Sequence, residues 1–139
     1  MENRTITVEA DVHAPLEKVW EYYTSDEHVT KWNQASDDWH SPSASNDLRV
    51  GGTFSYRMES KDGSEGFDFN GIYEEVEQHS FMKYKMDDGR RVEVTFNTID
   101  EDTTHVKVVF EMEDENPEEM QRAGWQAILD NFQKYAETH

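Results

Sequence analysis

At 139 residues the chain has the length of one domain with its own core, and its 31 acidic and 13 basic side chains give a net charge of −18. That charge disfavours nucleic acids and anionic membrane surfaces as partners, because both would repel the protein. The absence of cysteine excludes disulfides and thiol chemistry. Because the sequence has no secretory signal and no apolar run of roughly 18 residues, we expect a cytoplasmic location without membrane insertion. The expected organisation is a single domain, residues 1–139.

The first predicted elements are a strand and two short helices. Apolar and polar residues alternate from Thr5 to Val12, which is typical of a half-buried strand. Pro15 suits the first position of a helix, and apolar residues then recur at helical spacing as far as Tyr23. After a break at Ser25, a second short helix is expected to end at about Trp32.

The following stretch is expected to be mostly irregular. Residues 33–46 are rich in Ser, Asp and Asn, and a short strand is predicted only from Asp38 to His40. A further strand is predicted to begin near Asp47. The pair Gly51-Gly52 is interpreted as a turn or bulge that requires positive φ.

The middle of the chain predicts a meander of strands joined by short turns. Turns are expected at residues 61–63, 87–89 and 100–102, and the Asp-Asp-Gly sequence of the second is a strong hairpin signal. Strands with one apolar and one solvated face form antiparallel sheets. The predicted apolar face comprises Phe54, Tyr56, Met58, Phe67, Phe69, Gly71, Tyr73, Met82, Tyr84, Met86, Val92, Val94, Phe96, Val106, Val108, Phe110 and Met112.

The last element is predicted to be a long amphipathic helix from Asn116 to Glu137. Asn116 is the expected N-cap, Pro117 the first helical residue and Glu119 the acidic member of a capping box. Because its apolar stripe is too broad and aromatic to face water, we expect the sheet to curve around this helix, with the two short helices closing one end, in an α+β fold. The stripe comprises Met120, Ala123, Gly124, Trp125, Ile128, Leu129, Phe132, Tyr135 and Ala136.

Four stretches of the chain resemble, in order, the motifs of a known family. They are residues 14–20 (APLEKVW), Trp32 followed by residues 48–54 (LRVGGTF), residues 71–76 (GIYEEV), and Gly124-Trp125 followed by Leu129. The pattern is similar to that of the activator-of-heat-shock-protein-ATPase homologues, within the START-like (SRPBCC) superfamily of polyketide-cyclase-like and birch-pollen-allergen-like proteins. The resemblance implies a helix-grip fold, in which a curved antiparallel sheet grips a long C-terminal helix.

The space between the sheet and the last helix is the predicted site. By their position on the inner faces, the candidate residues would hold a small hydrophobic molecule, aromatic or lipid-like, with the tyrosine hydroxyls setting its orientation. The same rings could instead fill a solid core. The candidates are Trp39, Tyr56, Phe69, Tyr73, Tyr84, Phe96, Phe110, Met112, Trp125, Ile128 and Phe132.

Other functions remain open at the level of sequence. The six histidines are scattered without metal-ligand spacing, and no cofactor motif occurs, so no metal, cofactor or catalytic residue is predicted. His40 beside Asp37 and Asp38 is a conceivable acid–base group at the cavity mouth. The resemblance implies two alternatives: a cyclase-like or hydrolase-like enzyme that uses the cavity, and a chaperone-cofactor-like module with a protein partner. The sequence does not decide between a monomer and a homodimer.

Overall fold

The computed structural model describes residues 4–33, 38–113 and 115–139. Within these residues, seven strands and three helices follow one another along the chain. They are β1 Thr5–Val12, α1 Leu16–Thr24, α2 Asp26–Trp32, β2 Trp39–Asn46, β3 Thr53–Ser60, β4 Gly66–Glu77, β5 Phe81–Met86, β6 Arg91–Asp100, β7 Thr103–Glu111 and α3 Glu118–Thr138.

The strands form one antiparallel sheet in the order β1-β7-β6-β5-β4-β3-β2. Strands β2 to β7 are a meander, while α1 and α2 carry the chain from β1 at one edge to β2 at the other. The sheet curls around α3, so the predicted α+β helix-grip fold, with two short helices after the first strand, is confirmed. No helix of the described chain is long and apolar enough to cross a bilayer.

The core lies between the concave face of the sheet and the helices. The alternation predicted for the strands is confirmed, because the inward residues of β1, β3, β5, β6 and β7 are buried almost throughout. Phe67 is an exception with 49% of its surface exposed. It lies near the turn of the β3–β4 hairpin, two residues before Phe69 in the chain. The ring of Phe69, unlike that of Phe67, contacts Trp125 of α3.

Strand β2 corrects the prediction for residues 33–46. It is one strand from Trp39 to Asn46, and the chain turns after it instead of beginning a strand near Asp47. The register with β3 shifts between His40 and Ser43, and Pro42 is tolerated there because β2 is an edge strand with a bulge. In the turn that follows, Gly51 has the predicted positive φ, at 84°.

The start of α3 also differs from the prediction. The helix begins at Glu118, and Pro117, with extended backbone angles, occupies the N-cap position without a side-chain cap. Asn116 is therefore not the cap, and its side-chain amide instead donates to the carboxylate of Glu113.

Gln121 holds the loop before α3 against the first turn of the helix. Its amide nitrogen donates to the carbonyls of Asn116 (2.7 Å) and Glu113 (3.2 Å), and its amide oxygen accepts from the N–H of Glu113 (3.0 Å). These bonds turn Gln121 inward, so Met120 is 61% exposed and Ala123 is exposed. The prediction that Met120 and Ala123 belong to the buried stripe is wrong.

Side chains of α3 also bind the edge strand β1. Three of them donate hydrogen bonds to backbone carbonyls that the neighbouring strand β7 leaves free on the outer side of β1. The pairs are Arg122 with Thr7 (3.2 Å), Gln126 with Glu9 (3.1 Å) and Gln133 with Asp11 (2.9 Å). The helix is thus joined to the sheet by polar contacts along its edge as well as by its apolar face.

His105 forms an ion-pair cluster on the outer face of β7. Its Nδ1 lies 2.6 Å from Oδ1 of Asp11, and its Nε2 lies 3.0 Å from Oε1 of Glu9. The hydrogen bond with Asp11 is the main cause that raises the pKa of His105. Partial burial of the ring opposes this increase, and Glu9 adds to it.

We expect this cluster to make stability depend on pH. A histidine whose pKa is higher in the folded protein than in the unfolded chain stabilises the fold fully below the unfolded value and loses that contribution as the pH rises through the folded value. Relative to His105→Gln, the wild type should be more stable by about 0.5–1 kcal/mol near pH 5.5, and the difference should shrink as the pH rises above about 6.5, the ordinary pKa of histidine. Urea unfolding of both proteins across this range measures it, and a difference independent of pH would contradict the prediction.

Candidate ligand-binding cavity

A cavity of about 280 Å³ lies between the curled sheet and α3. Its wall is made mostly of aromatic rings, methionines and aliphatic side chains from the helices and from the inner face of the sheet. The described lining residues are Tyr23, Thr24, Trp32, Asn33, Phe54, Tyr56, Met58, Phe67, Phe69, Tyr73, Met82, Tyr84, Arg90, Val108, Trp125, Ile128 and Leu129.

The structure brings six of the eleven predicted site residues together on this wall. Alternation along β3, β4 and β5 directs four of them inward, and two come from successive turns of α3. They are Tyr56, Phe69, Tyr73, Tyr84, Trp125 and Ile128. Their contact with a ligand stays a prediction.

The other five predicted residues do not line the cavity. Phe110 stacks on Trp125 with ring centroids 4.1 Å apart and supports that ring from behind. Phe96 packs against Tyr23 at 5.4 Å, and Phe132 packs against the same ring at 5.0 Å. These three phenylalanines therefore form a second layer of aromatic residues behind the rings that line the cavity, and they hold those rings in place.

The remaining two predicted residues lie at the edges of the site. Met112 follows the end of β7 and is partly buried against the core. Trp39 contacts the exposed Phe67, with ring centroids 5.9 Å apart. Because Phe67 lines the cavity and is also half exposed, the pair marks the rim on the side of the β3–β4 hairpin.

Sequence reasoning missed several lining residues. Phe54 and Met82 lie on the predicted inner face of the sheet, but alternation alone does not show which inner-face residues line a cavity and which fill the core. Tyr23 and Trp32 belong to the inward stripes of α1 and α2, and only the tertiary packing shows that these helices reach the cavity. Arg90 follows a turn, where no periodicity indicates the direction of a side chain.

A hydrogen-bonded chain of side chains crosses one side of the cavity. The Tyr73 hydroxyl donates to Oδ1 of Asn46 (2.6 Å), and Nδ2 of Asn46 donates to the carbonyl of Thr24 (2.5 Å). Tyr56 is hydrogen-bonded to Tyr73. Burial raises the pKa of Tyr73 to about 12 and raises that of Tyr56 well above its usual value, so both hydroxyls stay protonated at neutral pH. These hydrogen bonds link the sheet to Thr24 at the end of α1.

Two further tyrosine hydroxyls face the cavity without a partner. Among the described residues, neither Tyr23 nor Tyr84 forms a hydrogen bond through its hydroxyl. Within the described part of the chain, Oδ1 of Asn70 is the one side-chain polar atom that is fully buried and has no partner. The hydroxyls of Tyr23 and Tyr84 are therefore not fully enclosed by protein atoms. Burial raises the pKa of both tyrosines, so each offers a neutral O–H group that can donate or accept.

The cavity has few side chains that could act as acids, bases or metal ligands. Within the described residues, the cavity wall carries no Asp, Glu or His, and no three such side chains are arranged to hold a metal ion. The side chain of His40 is 45% exposed and lies 3.9 Å from the carboxylate of Glu59, away from the lining residues. Of its two suggested partners, Asp37 lies outside the described residues, and Asp38 is exposed.

Comparison with known proteins identifies similar chains. The model of the family described as "Activator of Hsp90 ATPase homolog 1-like protein" matches residues 13–137. The solution structure of an AHSA1-like protein from Aeromonas hydrophila is 41% identical, with a TM-score of 0.90 over 97% of this chain and 93% of that chain. A protein from Cytophaga hutchinsonii is 47% identical, with a TM-score of 0.83 over 96% of this chain and 92% of that one. Comparison with curated proteins gives no match.

A more distant structure shows the same fold. A protein from Nitrosomonas europaea is 18% identical over 96% of this chain and 94% of that chain, and its TM-score is 0.83. At this identity the likeness concerns the fold alone.

Proposed function

The chain belongs to the family of Activator of Hsp90 ATPase homolog 1-like proteins, and from this premise and the cavity we propose that it binds a small hydrophobic molecule between the sheet and α3. The observation that carries the proposal is the aromatic cavity of about 280 Å³ in the middle of the core. Each Å² of apolar ligand surface removed from water there would contribute about 25 cal/mol.

The size and lining of the cavity favour a binding site over a solid core. Protein interiors are packed as densely as organic crystals and contain few voids larger than a water molecule. The cavity would hold several waters, at about 30 Å³ each, but most of its wall is apolar, and the unused hydrogen-bonding groups are confined to residues such as Tyr23, Tyr84 and Arg90. An apolar ligand of matching shape would fill the space, and the hydroxyls of Tyr23 and Tyr84 would orient it.

The two alternatives have less support. A cyclase-like or hydrolase-like enzyme would be favoured by a carboxyl or imidazole group on the wall, and the described lining residues supply none. A chaperone-cofactor role, which the family description suggests, would be favoured by a contiguous exposed apolar patch. Within the described ranges, Phe67 and Ile72 point to opposite faces of β4, and Ile99 and Met120 lie on β6 and α3. The large exposed apolar residues there are Val50, Phe67, Ile72, Ile99 and Met120.

Filling the cavity should abolish most of the binding. Ile128 lines the cavity from α3, so the larger indole of Ile128→Trp would occupy the space that a ligand needs. With the neutral fluorescent probe N-phenyl-1-naphthylamine, we expect this variant to bind at least about 10-fold more weakly than the wild type, the equivalent of about 1.4 kcal/mol. Fluorescence titration gives both dissociation constants.

The matched control is Ile99→Trp. Ile99 is 55% exposed on β6 and does not line the cavity, so the same substitution there should leave the affinity for the probe unchanged. Circular dichroism establishes that both variants are folded. Equal affinity of folded Ile128→Trp and wild type, or no saturable binding by the wild type, would refute the proposed function.

A further inference from the structure

We propose that the ligand is a compact monocarboxylic acid with an apolar body, and that Arg90 and Tyr84 bind its carboxylate at one end of the cavity. This inference rests on the proposed function, because it names the chemistry of the molecule that the cavity would hold. It concerns the one charged side chain among the described residues of the wall.

The β5–β6 hairpin places Arg90 at the cavity. The turn at residues 87–89 closes with Gly89 at a φ of 93° and with a hydrogen bond from the N–H of Met86 to the carbonyl of Arg90 (2.8 Å). The side chain of Arg90 is only 20% exposed, while the next residue, Arg91, lies on the outer face, where its Nε donates to Glu74 at 2.9 Å. Arg90 precedes β6, which begins at Arg91, so its direction is set by the turn and by its own hydrogen bonds instead of by strand alternation.

Asp88 and the end of β7 hold the guanidinium of Arg90 in a fixed position. Its Nε donates to Oδ2 of Asp88 (2.7 Å), and its Nη1 donates to the backbone carbonyl of Glu111 (3.3 Å). A guanidinium carries five N–H donors, so among the residues that the structure describes these two bonds leave three of the five for another partner. A group held in this way loses little conformational entropy when it binds a ligand.

Tyr84 supplies a second donor beside Arg90. The Tyr84 side chain is largely buried, but its hydroxyl is not sealed off and has no partner among the described residues. Tyr84 pairs with Val92 of β6, and Met86, two residues further along the same face of β5, is hydrogen-bonded to Arg90, so Tyr84 and Arg90 belong to the same part of the cavity wall. Burial raises the pKa of Tyr84, and the positive charge of Arg90 opposes part of this increase. A neutral O–H and a fixed guanidinium at the same end of an apolar cavity form a recognition pair for an oxyanion.

The local charge favours a carboxylate over a doubly charged group. The side chain of Arg90 is already paired with Asp88, so a dianion such as a phosphate monoester would bring two negative charges beside an existing carboxylate. A carboxylate brings one, and its planar shape matches the fork of the guanidinium. A volume of about 280 Å³ is at the lower end of ligand cavities and fits a compact aryl or medium-chain acid better than a long-chain lipid.

The experiment compares an acid with its neutral isostere. Naphthalene-2-carboxylate and naphthalene-2-carboxamide have the same apolar body, and each displaces N-phenyl-1-naphthylamine from the wild type, Arg90→Met and Arg91→Met proteins in a fluorescence titration. We expect the wild type to bind the acid at least about 10-fold more tightly than the amide, because the carboxylate carries a negative charge and can accept two parallel N–H bonds from the guanidinium, whereas the amide is neutral and has one acceptor oxygen. Arg90→Met should lose this preference and keep its affinity for the amide, while Arg91→Met should behave as the wild type.

The outcomes separate this inference from the function on which it rests. Equal affinity of the wild type for acid and amide, or an unchanged preference in Arg90→Met, would overturn the assignment of a carboxylate and leave the hydrophobic site intact. Failure of the probe and of both naphthalenes to bind would instead overturn the proposed function. If Arg90→Met does not fold, Arg90→Lys tests the same point, because it keeps the charge and should retain part of the preference.

Discussion

Replacing Phe132 by alanine should lower the free energy of unfolding by about 3–5 kcal/mol, the usual cost of truncating a fully buried aromatic side chain. Phe132 has no exposed surface. Its ring lies 5.0 Å from that of Tyr23 in α1 and 5.0 Å from that of Trp32 in α2. The side chain therefore joins all three helices, and its loss would leave a cavity that no single element can close.

Urea unfolding with a control on the same helix tests this prediction. Met120 is 61% exposed on α3, so Met120→Ala should change the stability by no more than about 0.5 kcal/mol. Because Tyr23 and Trp32 line the ligand cavity, Phe132→Ala should also weaken the binding of N-phenyl-1-naphthylamine. A Phe132→Ala protein as stable as Met120→Ala would show that this contact does not hold the helices together.

Gly71→Ala should destabilise the fold by about 1–3 kcal/mol through overpacking. A Cβ at this position would lie 2.5 Å from Cε2 and 2.6 Å from Cζ of Phe54, and 3.1 Å from the carbonyl oxygen of Lys85. Phe54 is 3% exposed and packs against several rings, among them Phe69 and Tyr84, so it has little room to move.

The matched control is Gly124→Ala in α3. Apart from the helix's own neighbouring backbone, no atom of the described residues lies within 4 Å of a Cβ built at Gly124, so alanine should raise the stability by about 0.5–1 kcal/mol through its higher helix propensity. Urea unfolding of both variants should give opposite signs. The double variant Gly71→Ala/Phe54→Leu should recover part of the loss, and a Gly71→Ala protein with wild-type stability would rule out the close contact.

The sequence predicted best those parts of the fold that local alternation determines. The inward face of β1 and the hairpin at residues 87–89 agree with the structure, because period-two patterning and turn residues carry that information locally. Strand β2 was predicted only as far as His40, because the Ser-rich and Pro-containing sequence that follows has no apolar alternation. Its strand conformation comes from pairing with β3, which is a tertiary effect.

The candidate site was predictable only in part for the same reason. Sheet residues such as Tyr56 and Tyr84 follow from their position on the inner face. Tyr23 and Trp32 reach the cavity through the path of α1 and α2 across the end of the sheet, which periodicity does not contain. At the start of α3, Gln121 is buried and Met120 is exposed, although the apolar pattern favoured Met120. Burying the Gln121 amide costs little free energy because the amide forms three hydrogen bonds.

The hydrogen bonds from α3 to β1 also bear on self-association. An edge strand with free carbonyl and N–H groups is a template on which a strand of another molecule can add, and this is a common route to aggregation. On β1 the carbonyls of Thr7, Glu9 and Asp11 are already occupied by side chains of α3. At the opposite edge, Pro42 lacks an N–H and lies at the bulge of β2. Each edge thus has a feature that obstructs the joining of two molecules into one continuous sheet.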